Sequence, residues 1–489
     1  MSRLHDPGSP SRAVACSALR ALARGLAAAL AAWLLTCGGV AALTPDEARH
    51  LVVRTGFGAS PAEIERLLPM DRARAVALIV SEAALPVGGP LPEWADDNPM
   101  TARRLDDVAV ADALIARQGA TLQAWWVERM LLTRVPLQER MTLFWHGHFA
   151  SALDKVRSPQ LMLRQNRLLR RHALARFDVL LADIAVDPAM LLYLDGGANV
   201  VGAPNENFAR EVMELFTLGV GHYSEADVAE AARALTGWTV HPATGDALFV
   251  PARHDDGDKT ILGRSGPWNG ADVVAILLEQ PRTAEFVAAA LWTEFISTPP
   301  GDAELAALAA DFRSDWRIDR LVRAILLQPA FWDPAERGAM IAGPVEWTVG
   351  TLRLLDAWDT PPDPVADLCA ALGQALFEPP NVAGWPGGDA WIDPSTLAAR
   401  QQAMQRFIAG RAPAAEETGL AVRRSGALVR WLDRLPFAWR APDRLQALVL
   451  PIAPVGGGGA ALPVAASPDP EVLADLARGW LADPAFQLK

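Results

Sequence analysis

A mainly α fold is predicted by three observations. Apolar residues recur at helical spacing in nearly every segment, proline and glycine punctuate them, and strand patterns are confined to the stretch around residues 239–262. Hydrophobic residues make up 51% of the 489, enough to fill the core of a large multi-helix globular body.

The chain opens with Arg3, Arg12, Arg20 and Arg24 ahead of an apolar run from Leu26 to Leu35, and Val40-Ala41-Ala42 follows as a small-residue cleavage site. Residues 1–42 therefore read as a secretory signal peptide, which implies an exported protein, periplasmic or secreted. Leu34-Leu35-Thr36-Cys37 is a poor lipoprotein box, because threonine directly precedes the cysteine. No later apolar run reaches the ~18 residues of a membrane span. Cleavage removes Cys16 and Cys37 and leaves Cys369 alone in an apolar helix, so the mature chain has no intrachain disulfide and that thiol reads as inert. Losing four arginines and one aspartate moves the net charge from −12 to −15. With no basic run, nucleic acid is not an expected partner.

Residues 43–489 are expected to form one large α-helical domain, with two lobes allowed. Pro61–Leu68, Ala109–Thr133 and Pro159–Leu181 have amphipathic periods. Ser224 and Asp227 have capping-box spacing, and Val228, Ala231, Ala232 and Leu235 form the stripe behind them, with Gly237 as the stop. Thr239-Val240, Ala247–Val250 and Thr260–Leu262 suit a small hairpin. Asp187-Pro188-Ala189-Met190, Gln328-Pro329-Ala330-Phe331 and Asp483-Pro484-Ala485-Phe486 read as three separate proline stops to helices. Pro451–Pro470, with Gly456–Gly459, reads as a flexible loop, after which Glu471–Phe486 is helical again.

Three segments carry candidate chemistry. In Pro204–Gly219, Glu206, Asn207, Arg210, Glu211 and Glu214 fall on one helix face, while Phe208, Val212 and Leu215 fall on the other. Three carboxylates against one guanidinium leave an acidic excess, which in an enclosed site demands a basic group, a metal or a cationic ligand. The plain alternative is a wet surface with i, i+4 ion pairs. Phe144-Trp145-His146-Gly147-His148-Phe149 carries two histidines that share a side only if the helix breaks at Gly147. If it continues, His146 points with Glu139, His148 joins the apolar stripe, and the pair cannot share a metal. Pro379–Trp391 is too rich in proline and glycine for a helix and presents Trp385 and Trp391, either to a ligand or as a plug on the core. Seventeen tryptophans against two tyrosines favour a glycan-facing surface only modestly. The acidic loop around His254 and Lys259 lacks the length and terminal glutamate of an EF-hand. Gly-x-Ser-x-Gly, His-Glu-x-x-His and phosphate-binding glycine signatures are missing.

Taken together, Arg54-Thr55-Gly56-Phe57-Gly58, Phe144–Phe149, Pro204–Gly219, Ala231–Trp238, His254–Gly263, the tryptophan loop and Asp483–Gln487 resemble the large bacterial family catalogued as domain of unknown function eighteen hundred. Val212 stands where that pattern has leucine or methionine, a difference of packing only. The resemblance implies an exported protein often encoded beside another uncharacterised exported family. It implies no established activity and transfers no catalytic residue.

Two functions fit. The first is a hydrolase-like enzyme on an envelope or extracellular polymer. Glu211 and Glu214, with Arg210, His146 and His148, would carry catalysis, and a divalent metal held by His146, His148 and Glu211 is compatible with it. Substrate contacts would come from Asn205, Glu206, Asn207, Trp238, His254, Lys259, Asn381, Trp385 and Trp391. The second is a non-catalytic envelope protein that binds a polysaccharide or partner protein during export or assembly.

Overall fold

The computed structural model describes residues 41–85, 88–410, 426–455 and 469–489. The expected signal segment up to residue 40, with Cys16 and Cys37, and residues 456–468 of the expected loop lie outside the described residues. Within them the protein is mainly α, with 21 α-helices and two small two-stranded sheets. No described helix is long and apolar enough to cross a membrane.

The first helix, Pro45–Thr55, starts where local chemistry says it should. Thr44 Oγ1 accepts the Glu47 N–H at 3.2 Å, and the Glu47 carboxylate accepts the Thr44 N–H at 2.9 Å. It exits through Arg54–Gly58 onto the helix Pro344–Leu354. Gly58 has φ +71°, and a Cβ there would lie 2.7 Å from the Gly350 backbone, so the two segments meet main chain to main chain. Arg54 is fully buried. It donates to Phe295 O at 2.9 Å and Glu336 O at 2.5 Å, with the Glu336 carboxylate at 3.7 Å. Arg140 pairs with Glu294 at 2.6 Å and with Glu346, which also takes the Lys489 ammonium at 2.5 Å. Three cations thus meet three carboxylates, which is how ionic groups persist in an apolar interior.

The helices Val108–Leu132 and Pro136–His148 match the sequence pattern, the former within one residue of its expected ends. The expected single helix Pro159–Leu181 is instead two, Pro159–His172 and Phe177–Ala185. The chain between them is drawn out by distant partners. Ala175 O accepts the Ile318 N–H, Phe177 N–H donates to Trp316 O, both at 2.9 Å, and Trp145 Nε1 donates to Ala173 O at 3.0 Å. The three proline phrases follow helix ends at Ala185, Leu326 and Leu481 as expected, and each also opens the next turn. Asp187 caps Pro188–Tyr193 by accepting the Met190 N–H at 3.0 Å, Pro329 precedes the 3₁₀ turn Ala330–Trp332, and Asp483 caps the 3₁₀ turn Pro484–Gln487.

The Ser224–Asp227 capping box forms as its spacing predicts and starts Glu225–Ala234. Beyond it lie two hairpins in place of one. Strand β1 (Trp238–Val240) pairs with β2 (Ala247–Phe249), whereas β3 (Lys259–Ile261) pairs with β4 (Arg264–Gly266). Leu262 and Gly263 turn the second hairpin with φ of +48° and +78°, and Asp227 holds the Leu262 N–H at 2.7 Å. Much of the tryptophan content is interior: Trp126, Trp145, Trp292, Trp431 and Trp439 are among the largest fully buried side chains. Cys369 is buried too, and burial pushes its thiol up to about 12.

Candidate functional site

The acidic helix runs Asn207–Glu214 and buries Phe208, Val212 and Met213 beneath its ionic face. Two of its three carboxylates are already engaged. Glu206 pairs with Arg210 at 3.2 Å, and Arg210 reaches Glu225 at 2.7 Å, which holds the guanidinium firmly charged. Glu214 accepts the Tyr223 hydroxyl. The Glu211 carboxylate accepts no hydrogen bond from a described residue. Its half-buried carboxyl is raised above the usual range by burial first and by neighbouring Glu214 second.

Glu211 belongs to a group centred on Tyr193, assembled from four separate segments. Burial raises the Tyr193 phenol, and so do the negative charges of Asp154, Glu211 and Glu378. The side chain is 8% exposed, and its hydroxyl has no hydrogen-bond partner among the described residues. Lys155 Nζ lies 5.6 Å above the ring and pairs with Asp195 at 2.9 Å, while Asn207 Nδ2 donates to Asp195 at 3.3 Å. Glu378 is pushed up to about 7 by burial, with Asp154 adding to the rise. The Asp154 N–H donates to the Glu378 carboxylate at 3.3 Å, and one residue earlier on each strand of chain Leu153 N–H donates to Phe377 O at 2.9 Å. Glu378 thus takes up and releases its proton near neutral pH, among carboxylates, a lysine and a phenol.

The histidines sit elsewhere. Their helix continues through Gly147, so His146 and His148 point in different directions. His146 is 1% exposed, and neither ring nitrogen has a partner. It is boxed by Trp126, Phe377 and Trp385, with ring centres 5.3–5.5 Å away. Burial alone drives its imidazole down to about 3. His148 bonds Phe216 O at 3.1 Å among Phe144, Phe149 and Phe286 and is held down to about 4, burial outweighing that bond. Neither imidazole feels a carboxylate of the acidic helix, so the expected meeting of that helix with the histidine pair does not occur. The set His146, His148 and Glu211 likewise does not assemble around a common point. Among the described residues no group of three or more His, Cys, Asp or Glu is placed to hold a metal ion.

The tryptophan loop faces inward. Gly384 has φ +81°, and a Cβ there would lie 2.5 Å from Gly147 O, so the loop presses on the end of the histidine helix. Trp385 packs on His146 with its indole nitrogen buried and unpartnered, and Trp391 is buried. Asn381 is exposed and accepts the Ala383 N–H within its own turn. Asn205 caps Asn207 N–H at 2.9 Å. Trp238 packs on Phe249, as does His254, whose Nδ1 lies 3.0 Å from Thr236 O. Lys259 is buried and donates to Trp268 O at 2.9 Å and to Asp255 O. These last three brace the hairpins, and the strand Trp238–Val240 also packs against the helix Pro188–Tyr193.

The geometry thus keeps Glu211 and Asn207 from the sequence reading and adds Asp154, Lys155, Tyr193, Asp195 and Glu378. Glu378 directly precedes the proline-rich loop that the sequence had marked for its tryptophans. The family described as "Protein of unknown function (DUF1800)" matches residues 50–485. The chain belongs to that family. No curated protein and no solved structure matches it significantly. In this family member, Arg54–Gly58 serves the buried ion cluster and a backbone contact, whereas Asn207 and Glu211 of Pro204–Gly219 face the Tyr193 group.

Proposed function

We propose that the protein is an exported, hydrolase-like enzyme that uses carboxyl groups as acid and base on an envelope or extracellular polymer. The observation that carries the reading is the convergence on Tyr193 of Asp154, Glu211 and Glu378, one of which keeps a proton near neutrality. A site that must both donate and accept a proton needs carboxyls with separated affinities. Glu378 is the general acid. Asp154 and Glu211 supply the accepting side, and the Tyr193 hydroxyl, Lys155 and Asn207 orient the substrate. Half-exposure of Glu211 and the charge on Lys155 leave the group open to a polar chain. The histidines, held neutral and sequestered, take no part.

The test uses purified bacterial sacculi and a panel of soluble polysaccharides as probes, reading new reducing ends and free amines. Wild-type protein should release product, and Glu378→Gln should cut the rate ~10²-fold or more with unchanged thermal stability at pH 5. The rate should fall on the alkaline side as Glu378 ionises, near pH 7. Equal rates in wild type and Glu378→Gln would remove the assignment. Polymer binding without any turnover would point instead to a non-catalytic envelope protein.

A further inference from the structure

A concave site lined by other residues than the Tyr193 group carries charge of the opposite sign. A cavity of about 340 Å³ opens between the helices Val108–Leu132 and Pro159–His172 and the segment Gly88–Leu91. Arg129, Arg167, Arg170 and Arg171 line it together with Trp125 and Gln138, and no carboxylate is among the described lining residues. Glu139 reaches these arginines from behind. It takes Arg170 in a two-pronged contact at 2.7 and 2.8 Å, with Arg129 at 3.4 Å. Arg167 and Arg171, both exposed, form no ion pair with a described residue. Four guanidiniums against one carboxylate is a local cationic excess on a chain of net charge −12.

The site is built, not merely charged. The Trp125 ring centre lies 5.4 Å from the Arg129 guanidinium and 5.3 Å from that of Arg170, a cation–π contact that helps to hold both. Trp125 Nε1 donates to Pro90 O at 2.8 Å and ties the Gly88–Leu91 wall to the helix. Gln138 is 5% exposed and donates to Ala83 O at 3.1 Å and Leu85 O at 2.9 Å. Those bonds fix its amide orientation and leave Oε1 buried without a partner. Buried acceptors in native proteins are satisfied, so this oxygen awaits a donor. The ligand must therefore offer an oxyanion to the guanidiniums and, close by, a hydroxyl or amine hydrogen to Gln138.

We propose that this cavity binds an acidic saccharide unit: a hydroxylated ring bearing a carboxylate or a phosphate. Guanidinium forks match either oxyanion, and a ring hydroxyl next to it answers Gln138. The site stands whether or not the Tyr193 group is catalytic, since binding here requires no turnover there.

Calorimetric titration of the full chain tests it, with trigalacturonate, glucose 6-phosphate, glucose and inorganic sulfate as probes. At least one of the two acidic sugars should bind with Kd below ~1 mM, and which one does so identifies the oxyanion. Its affinity should fall several-fold between 50 and 300 mM salt (about the range over which exposed charges are screened), with glucose not binding. Arg167→Ala/Arg171→Ala removes two exposed side chains and should lower the affinity at least tenfold at unchanged melting temperature. Gln138→Leu, checked for folding in the same way, should weaken the sugar and leave any sulfate binding unaltered. Sulfate as tight as either sugar, glucose as tight as the anions, no binding by either acidic sugar, or an undiminished affinity in the double variant would each overturn the proposal.

Discussion

Two clusters of ionisable side chains in this protein obey opposite rules. Around Arg54, three cations and three carboxylates are matched and buried, with Arg54 also bonded to main-chain carbonyls. Around Tyr193, Asp154, Asp195, Glu211 and Glu378 stand with a single lysine, and burial first, with a neighbouring like charge second, raises the proton affinities of Glu211 and Glu378. Matched charge holds the fold, because an interior ion without its partner costs several kcal/mol. Unmatched charge at a half-open site destabilises the protein alone and finds its compensation in a proton or a ligand.

That contrast can be broken most directly at Glu336. Glu336→Ala strands Arg54 in the interior and is expected to destabilise by about 3–5 kcal/mol in denaturant titration, whereas Asp195→Asn, which suits the left-handed backbone there, stays within ~0.5 kcal/mol. Similar losses at both positions would erase the distinction. His146 offers a smaller effect of another kind. Its folded affinity of about 3 lies below the ordinary 6.5, so the unfolded chain binds the extra proton, and stability is lost as pH falls through that window. His146→Phe should fill the same aromatic box and remove roughly 3 kcal/mol of that acid-side loss, read from melting curves between pH 6.5 and 4. The smallest effect sharpens the contrast at Glu378, where the sign reverses. A carboxyl raised from 4.5 to about 7 binds its proton more tightly when folded, so stability declines as pH rises across that interval. Glu378→Gln should flatten this decline, and an unaltered slope would show that the site is not strained by ionisation.

Local signals were enough to read much of the fold from the sequence. Ser224 and Asp227 announced their helix, and the Phe208–Val212 stripe announced which face of Asn207–Glu214 is buried. Signals that depend on remote partners were not legible. Nothing between Leu174 and Arg176 tells that Trp316 and Ile318 will claim its backbone, and Leu262 is an unexpected first residue for a tight turn. The candidate site follows the same division. Glu211 stood out because its neighbours share one helix face, yet its company could not be read. Asp154, Tyr193 and Glu378 are ordinary residues of three distant segments, and only the tertiary structure gathers them. The arginine cavity was partly visible as Arg167, Arg170 and Arg171 on one helix, but a chain-wide acidic balance concealed it until Arg129 and Gln138 were placed beside it.

The bonds from the Leu153 N–H to Phe377 O and from the Asp154 N–H to the Glu378 carboxylate have a mechanical consequence. Two like charges on flexible side chains would relieve their repulsion by swinging apart. Here one backbone bond and one bond to the carboxylate pin the two stretches together, so separation is denied, and burial first, with that repulsion added, turns Glu378 towards capture of a hydrogen ion. Burial and a pinned neighbour together keep this spot loaded.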